Sequence, residues 1–231
     1  VTEELMARFP RTLAIAGFAM LFTVIIGIPL GIFTAIHEGT FADRIGVLLC
    51  VIGVSMPTFW LAMLFVLLFA LKLKLLPAQG MDGAKYFVLP VVAQSLGGIS
   101  GMVRTARAAM LEVVRADYVT TARSKGLSER KVIYEHALPN AMLPIISVLS
   151  GQLANQLGGA LVIEQVFSIP GIGLYLINAV NTRDYPVAQS SVVFSLIVLL
   201  TDLGYAAVDP IIRAQFVQGG TKKKKRKEEN G

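Results

Sequence analysis

Long apolar runs alternate with short polar segments along this chain. Five such runs can be marked, at residues 12–36, 45–71, 86–103, 141–163 and 187–208. Each has at least the roughly 18 to 20 residues that a helix needs to cross the hydrocarbon of a bilayer. The first run is too long for the core of a signal peptide, which has about 7 to 15 apolar residues. The pattern therefore predicts an all-α fold, a polytopic transmembrane helix bundle with five spans.

Composition agrees with a membrane protein and leaves little chemistry. Hydrophobic residues make up 55% of the 231 and charged residues 16%, whereas soluble domains carry about a quarter of charged residues. The single cysteine, Cys50, lies inside the second run, and no Cys/His spacing typical of a metal site is present. The sequence has no G-x-x-x-x-G-K-[ST] phosphate loop, no H-E-x-x-H and no G-x-S-x-G. We therefore expect no catalytic residues, no metal, no cofactor and no ATP hydrolysis by this chain alone.

Lysines and arginines indicate an orientation. If the polar loop 104–136 faces the cytoplasm, 15 of the 21 basic residues lie on the cytoplasmic side and 6 outside, as the positive-inside rule requires. Residues 1–11 are then external, and the polybasic segment 214–231 is a solvated, disordered cytoplasmic tail beside anionic lipid rather than a nucleic-acid site. An external first residue leads us to expect one more span before Val1, six in all.

The loop 104–136 interrupts the apolar pattern with local start and stop signals. Asp117 offers an N-cap for a short helix over 118–125, and Gly126 follows as a left-handed corner. Ser128 can cap a second short helix over 129–138, which ends at Pro139. A loose solvated connector needs no such design, so the loop is predicted to dock a partner.

Two polar stripes lie within apolar runs. They consist of Gln152, Asn155 and Gln156 in the fourth run and Ser191, Ser195 and Asp202 in the fifth. Such residues serve either as hydrogen-bonding contacts between helices or as the lining of a polar pathway. Asp202 favours the pathway slightly, because a carboxylate within a span costs about 2.5 to 3.5 kcal/mol on insertion scales.

Glycines recur at spacings that let helices approach closely in lipid. The examples are Gly27-x-x-x-Gly31, Gly97-x-x-x-Gly101 and Gly158-Gly159. They predict tight contacts in a multi-helix bundle.

A family resemblance emerges at the loop. The spacing Thr121-Ala122-x-x-x-Gly126 followed by Leu138-Pro139 resembles the "EAA" loop of binding-protein-dependent ABC transporter permeases. Thr120 and Thr121 occupy the usual glutamate and alanine positions, and His136 replaces an apolar residue. With these departures the loop resembles that of the dipeptide/oligopeptide/nickel branch of the family. The segments "LKLLPAQG", which is similar to the B-type subunit, and "EQVFSIPGIGLYLINAVNTRDYPVAQ" extend the likeness over nearly the whole chain.

The resemblance implies a type I ABC importer permease in a bacterial cytoplasmic membrane. The implied partners are a second, C-type permease, two cytoplasmic ATPase subunits, an extracellular or periplasmic binding protein and the lipid bilayer. The implied cargo is di- or oligopeptides, with nickel, another metal chelate or glutathione as the alternative. A secondary transporter is a less favoured reading. The resemblance further implies a coupling helix that docks the ATPase through Asp117, Tyr118, Thr120, Thr121, Ala122, Arg123, Lys125 and Gly126.

The first prediction concerns topology. In a Cys50→Ser background, single cysteines at positions 85 and 183 should react with an impermeant thiol reagent in intact cells, and those at 125 and 130 should not, because of the basic-residue bias. Labelling of a cysteine at position 125 from outside the cell would overturn this orientation.

Overall fold

The computed structural model describes residues 1–80 and 83–208, with side chains throughout except at residues 150, 199 and 201–208. The regular elements in these ranges are helices, as predicted. They are α1 (Thr2–Ile36), α2 (Phe41–Ser55), α3 (Thr58–Lys72), α4 (Lys85–Val114), α5 (Asp117–Ser124), α6 (Glu129–Phe167), α7 (Ile172–Asn181) and α8 (Tyr185–Val208).

Three helices, α1, α4 and α6, are long and apolar enough to cross a membrane. The pair α2 and α3 adds a fourth if it forms one broken span. Helix α7 and the part of α8 up to Val198 are shorter apolar helices. Three or four of the five predicted spans are thus supported. The fifth, at 187–208, extends into residues whose side chains are not described, and the predicted tail 214–231 lies outside the described residues altogether.

Pro57 divides the second apolar run, which was predicted as one span. A residue before proline is driven out of the helical region by the proline ring, and Met56 has φ −88° and ψ 125°. Pro57 is itself extended at the start of α3. The result is two helices that differ in direction by 100°.

The two longest helices each continue past one proline by a different device. A π-helical turn at Thr23–Gly27 precedes Pro29 in α1, and one at Val132–Ala137 precedes Pro139 in α6. Proline lacks an N–H and its ring collides with the carbonyl one turn earlier. The wider π turn accommodates this irregularity. The second short helix predicted in the loop is therefore the first part of α6, which does not end at Pro139.

Helix α4 is the centre of the bundle and packs against α1, α2, α3 and α6. Its contact with α1 depends on glycine. A Cβ atom on Gly31 would lie 2.5 Å from the Cβ of Ala106 and 2.7 Å from the carbonyl oxygen of Val103, and one on Gly27 would lie 2.8 Å from the Cβ of Met102. The predicted role of the Gly27-x-x-x-Gly31 pair is confirmed.

The contacts also fix the helix directions. Residues near Gly31 of α1 meet residues near Ala106 of α4, so these two helices run parallel. Thr12 of α1 meets Glu164 of α6 and Thr23 meets Gln156, so α6 runs antiparallel to both. The turn at 37–40 and the loop at 115–128 therefore share one end of the bundle, which we call the loop end. The opposite end, with Thr12, Glu164 and α7, we call the α7 end.

The tight α1–α4 contact generates the second prediction. Gly31→Ala should lower the stability of the chain by about 1 to 3 kcal/mol, because overpacking against backbone atoms cannot be relieved by a side-chain rotation. Gly17→Ala is the matched control, since a Cβ atom there meets nothing within 4 Å. Thermal unfolding in detergent measures both, and equal midpoints for the two variants would contradict the prediction.

Candidate functional site

The short helix α5 has one buried and one exposed face at the loop end. Val119 and Ala122 are buried against apolar residues of α4 and α6, among them Met110 and Val132. The exposed residues of the helix and the following corner are Asp117, Tyr118, Thr120, Thr121, Ser124, Lys125 and Gly126. Of the predicted docking residues, Ala122 thus faces the bundle and Arg123 is half-buried. The others form a continuous surface open to a partner.

The start of α5 differs from the prediction. Asp117 was expected at the N-cap, but the helix begins at Asp117 and Ala116 occupies the cap position. The Asp117 carboxylate is still favourably placed, because the N-terminus of a helix carries partial positive charge. Two exposed hydroxyls, those of Thr121 and Ser124, donate to carbonyl oxygens one turn earlier, at 2.9 and 3.1 Å. These local bonds satisfy the two hydroxyl donors and leave the exposed face polar.

The end of α5 agrees with the prediction. Gly126 has φ +77°, and a Cβ atom there would meet nothing within 4 Å. Its N–H donates to the carbonyl of Arg123 at 2.9 Å. Glycine is required here for its backbone angle rather than for lack of space. Ser128 lies at the N-cap of α6 as predicted, but its side chain makes no capping hydrogen bond.

An ion pair closes the corner. The Arg123 guanidinium donates to the Glu129 carboxylate at 2.7 to 3.3 Å and to the carbonyl oxygen of Val114 at 3.3 Å. Glu129 lies before the predicted fourth span, 141–163. The hydrogen bonds that it accepts from Arg123 lower the pKa of its carboxyl below the ordinary value. Arg123 therefore joins the end of α4, helix α5 and the start of α6 into one unit.

A second set of charges, which the sequence reasoning missed, connects the turn 37–40 to α4. The Arg107 guanidinium makes two hydrogen bonds of 2.8 and 2.9 Å to the buried Asp43 carboxylate, which also accepts from the N–H of Gly39 at 3.0 Å. Arg115 pairs with Glu38 at 2.7 Å. Both pairs lie at the loop end, so the surface around α5 is held from two sides.

The polar stripe of α6 is divided by the fold. Gln152 donates to the carbonyl of Gly98 at 3.1 Å, and buried Gln156 lies 3.4 Å from the hydroxyl of Thr23. Gln94 of α4, also missed, donates to the carbonyl of Gln156 at 2.8 Å. These contacts form a polar seam between α1, α4 and α6. Asn155 is exposed on the outer side of α6 instead.

The stripe of α8 is satisfied within its own helix. The hydroxyls of Ser191 and Ser195 donate to carbonyl oxygens four residues earlier, at 2.8 and 2.9 Å. Ser195 also lines an apolar cavity of about 300 Å³ beside Thr12. The side chain of Asp202 lies outside the described part, so its pathway role stays a prediction.

Comparisons with known proteins agree with the family resemblance of the sequence. The family model described as Binding-protein-dependent transport system inner membrane component matches residues 27–214. Two curated relatives are each 39% identical over 218 residues, covering 92% of this chain and 71% of their own length. They are the glutathione transport system permease protein of Salmonella choleraesuis (strain SC-B67) and the dipeptide transport system permease protein of Bacillus subtilis (strain 168).

A solved structure shares the fold. An inward-facing form of the MetNI methionine ABC transporter aligns with a TM-score of 0.74, covering 92% of this chain and 96% of that chain at 18% identity. At this level of identity the likeness concerns the fold alone.

The divided stripe gives the third prediction. Gln152→Leu should lower stability by about 0.6 to 1.7 kcal/mol, the range for hydrogen bonds between membrane helices, because the Gly98 carbonyl loses its amide partner. Asn155→Leu should leave stability unchanged and reduce transport if Asn155 borders the pathway. Unfolding in detergent and uptake by the assembled complex measure the two effects. Equal losses of stability in both variants would show that the seam does not distinguish these residues.

Proposed function

Because the chain belongs to the family of binding-protein-dependent transport system inner membrane components, we propose that it is the B-type permease of an importer for short peptides. Membership makes it a multi-pass membrane subunit of an ABC importer, whose ATP hydrolysis is performed by separate subunits. The cargo proposed is di- or oligopeptides, with glutathione as the alternative, since relatives named for each are equally similar.

The proposed assembly contains this chain, a C-type permease, two cytoplasmic ATPase subunits and an external binding protein. In the proposed orientation the loop end is cytoplasmic and five spans cross the membrane. The concentration of basic residues in the loop 104–136 supports this choice. The C-terminus then lies in the cytoplasm.

One observation carries the proposal, namely the geometry of α5. Its apolar side is anchored in the bundle by Val119 and Ala122, and its polar side is presented at the loop end. Arg123 and Gly126 fix the angle of this helix relative to α6. A separate ATPase needs a rigidly held helix that is exposed at the surface, so that a movement of the ATPase is transmitted to the membrane bundle. ATP binding would then bias inward- and outward-facing states by favouring one position of α5.

The placement of buried charge argues against a secondary transporter. Such a protein would need ionisable groups near the middle of the membrane. Among the residues whose side chains are described, the buried charged ones are Asp43 and Glu164. Asp43 lies at the loop end with Arg107, and Glu164 lies at the α7 end. Coupling through a partner at α5 accounts for this distribution better.

The fourth prediction tests this function on the complex reconstituted with its ATPases and binding protein. Gly126→Val should leave membrane insertion normal but abolish the increase in ATP hydrolysis by loaded binding protein, because a β-branched residue resists φ > 0 by about 1 to 2 kcal/mol. Gly126→Asn is the matched control, since asparagine visits this region more readily. No neighbour in this chain lies within 4 Å of the added Cβ atom, so crowding within the chain does not account for a difference between the two variants.

Uptake measurements on the same reconstituted complex identify the cargo. Wild-type complex should take up a labelled dipeptide, or glutathione for the alternative, only when ATP and the loaded binding protein are both present. Uptake without ATP, or normal stimulation of Gly126→Val, would contradict the proposed coupling role of α5.

A further inference from the structure

Helix α7 begins without a cap of its own. Its N-cap residue is Gly171, which has no side chain to offer. The first N–H groups of any helix have no partner within that helix. Here Gly171, Ile172 and Gly173 are buried, so these groups need partners from elsewhere in the protein.

Two other helices supply those partners. The N–H of Ile172 donates to the hydroxyl of Thr12 in α1 at 3.0 Å, and that of Leu174 donates to a carboxylate oxygen of Glu164 in α6 at 3.0 Å. The Thr12 hydroxyl in turn donates to the other Glu164 oxygen. One hydroxyl and one carboxylate thus satisfy the start of a helix to which neither belongs.

The site leaves no room for adjustment. Glu164 is fully buried, and a Cβ atom on Gly171 would collide with its carboxylate. Further contacts join α1 to the same region, because Arg11 donates to the carbonyl of Pro170 at 3.2 Å and Arg8 lies 4.5 Å from the ring centre of Tyr175. Helices α1, α6 and α7 therefore meet at a single buried point. The two side chains that form it, Thr12 and Glu164, are 152 residues apart in the sequence.

We propose that Thr12 and Glu164 are positioning residues that hold α7 in the orientation that receives the loaded binding protein. This rests on the proposed function, in which the α7 end faces outside. A displacement of α7 on binding is transmitted through the shared cap to α1 and α6 together. Helix α6 runs from the corner beside α5 to this point, so the cap lies at the external, C-terminal end of a continuous helix whose other end reaches the ATPase surface.

The test separates positioning from simple stability. Thr12→Val keeps the size of the side chain but removes the hydroxyl, and Thr12→Ser keeps the hydroxyl. In the reconstituted complex, Thr12→Val should retain basal ATP hydrolysis but need at least about fivefold more loaded binding protein for half-maximal stimulation, the lower limit of typical coupling between sites. Thr12→Ser should behave as wild type.

A second measurement follows the position of α7 directly. In a Cys50→Ser background, Ala179→Cys places a thiol on the buried side of α7 and Val180→Cys places one on its exposed side. An impermeant thiol reagent should label Val180→Cys in every background. It should label Ala179→Cys slowly with Thr12 intact and at least severalfold faster with Thr12→Val, if the cap holds the helix.

Each outcome decides the matter. Wild-type complex that no binding protein stimulates overturns both the proposed function and this inference. Normal stimulation of Thr12→Val, or unchanged labelling of Ala179→Cys, overturns the positioning role alone. Failure of Thr12→Val to accumulate while Thr12→Ser does would make the pair a folding element and likewise overturn it.

Discussion

The close approach of α1, α4 and α6 is the constraint on which the rest of this structure depends. In a bilayer, apolar side chains gain little by leaving lipid for another helix, so association relies on van der Waals packing and interhelical hydrogen bonds. Gly27 and Gly31 bring α1 into contact with backbone atoms of α4. Gly98 leaves space for the amides of Gln152 and Gln156 from α6. The loop end and the α7 end both extend outward from this contact.

The polar seam shows how such proximity is used. Gln94 and Gln152 each donate to a backbone carbonyl of the opposite helix, so α4 and α6 are joined in both directions within a short length. The Gln94 side-chain oxygen is buried and has no hydrogen-bond partner among the described residues. The seam therefore specifies which helices meet, because each of these amides bonds to the backbone of one particular neighbouring helix.

The two ends hold their short helices by different physics. At the loop end, apolar Val119 and Ala122 anchor α5, and Arg123 with Glu129 sets its angle in a region open to water. At the α7 end, the anchor is a buried cap without a cationic partner among the described residues, formed by Thr12 and Glu164. The first arrangement leaves a polar surface free for a soluble subunit. The second ties the start of α7 to both α1 and α6 through one pair of side chains.

Much of this architecture could be predicted from the residues themselves. Apolar runs determine helices and Gly126 determines a left-handed corner, because each depends on neighbours within one or two turns. The glycine spacing was less decisive, since Gly27-x-x-x-Gly31 forms a tight contact but a Cβ atom on Gly97 of Gly97-x-x-x-Gly101 would meet nothing within 4 Å. The function was inferred from the family resemblance, and membership of that family is confirmed.

Only the tertiary structure decided the rest. It separated Asn155, which is exposed, from Gln156, which is buried. It also paired Asp43 with Arg107 across 64 residues and Thr12 with Glu164 across 152. The period of a helix shows which residues share a face, but not which neighbour that face meets. Pairings of this kind therefore follow from how whole helices pack, and no local pattern in the chain records them.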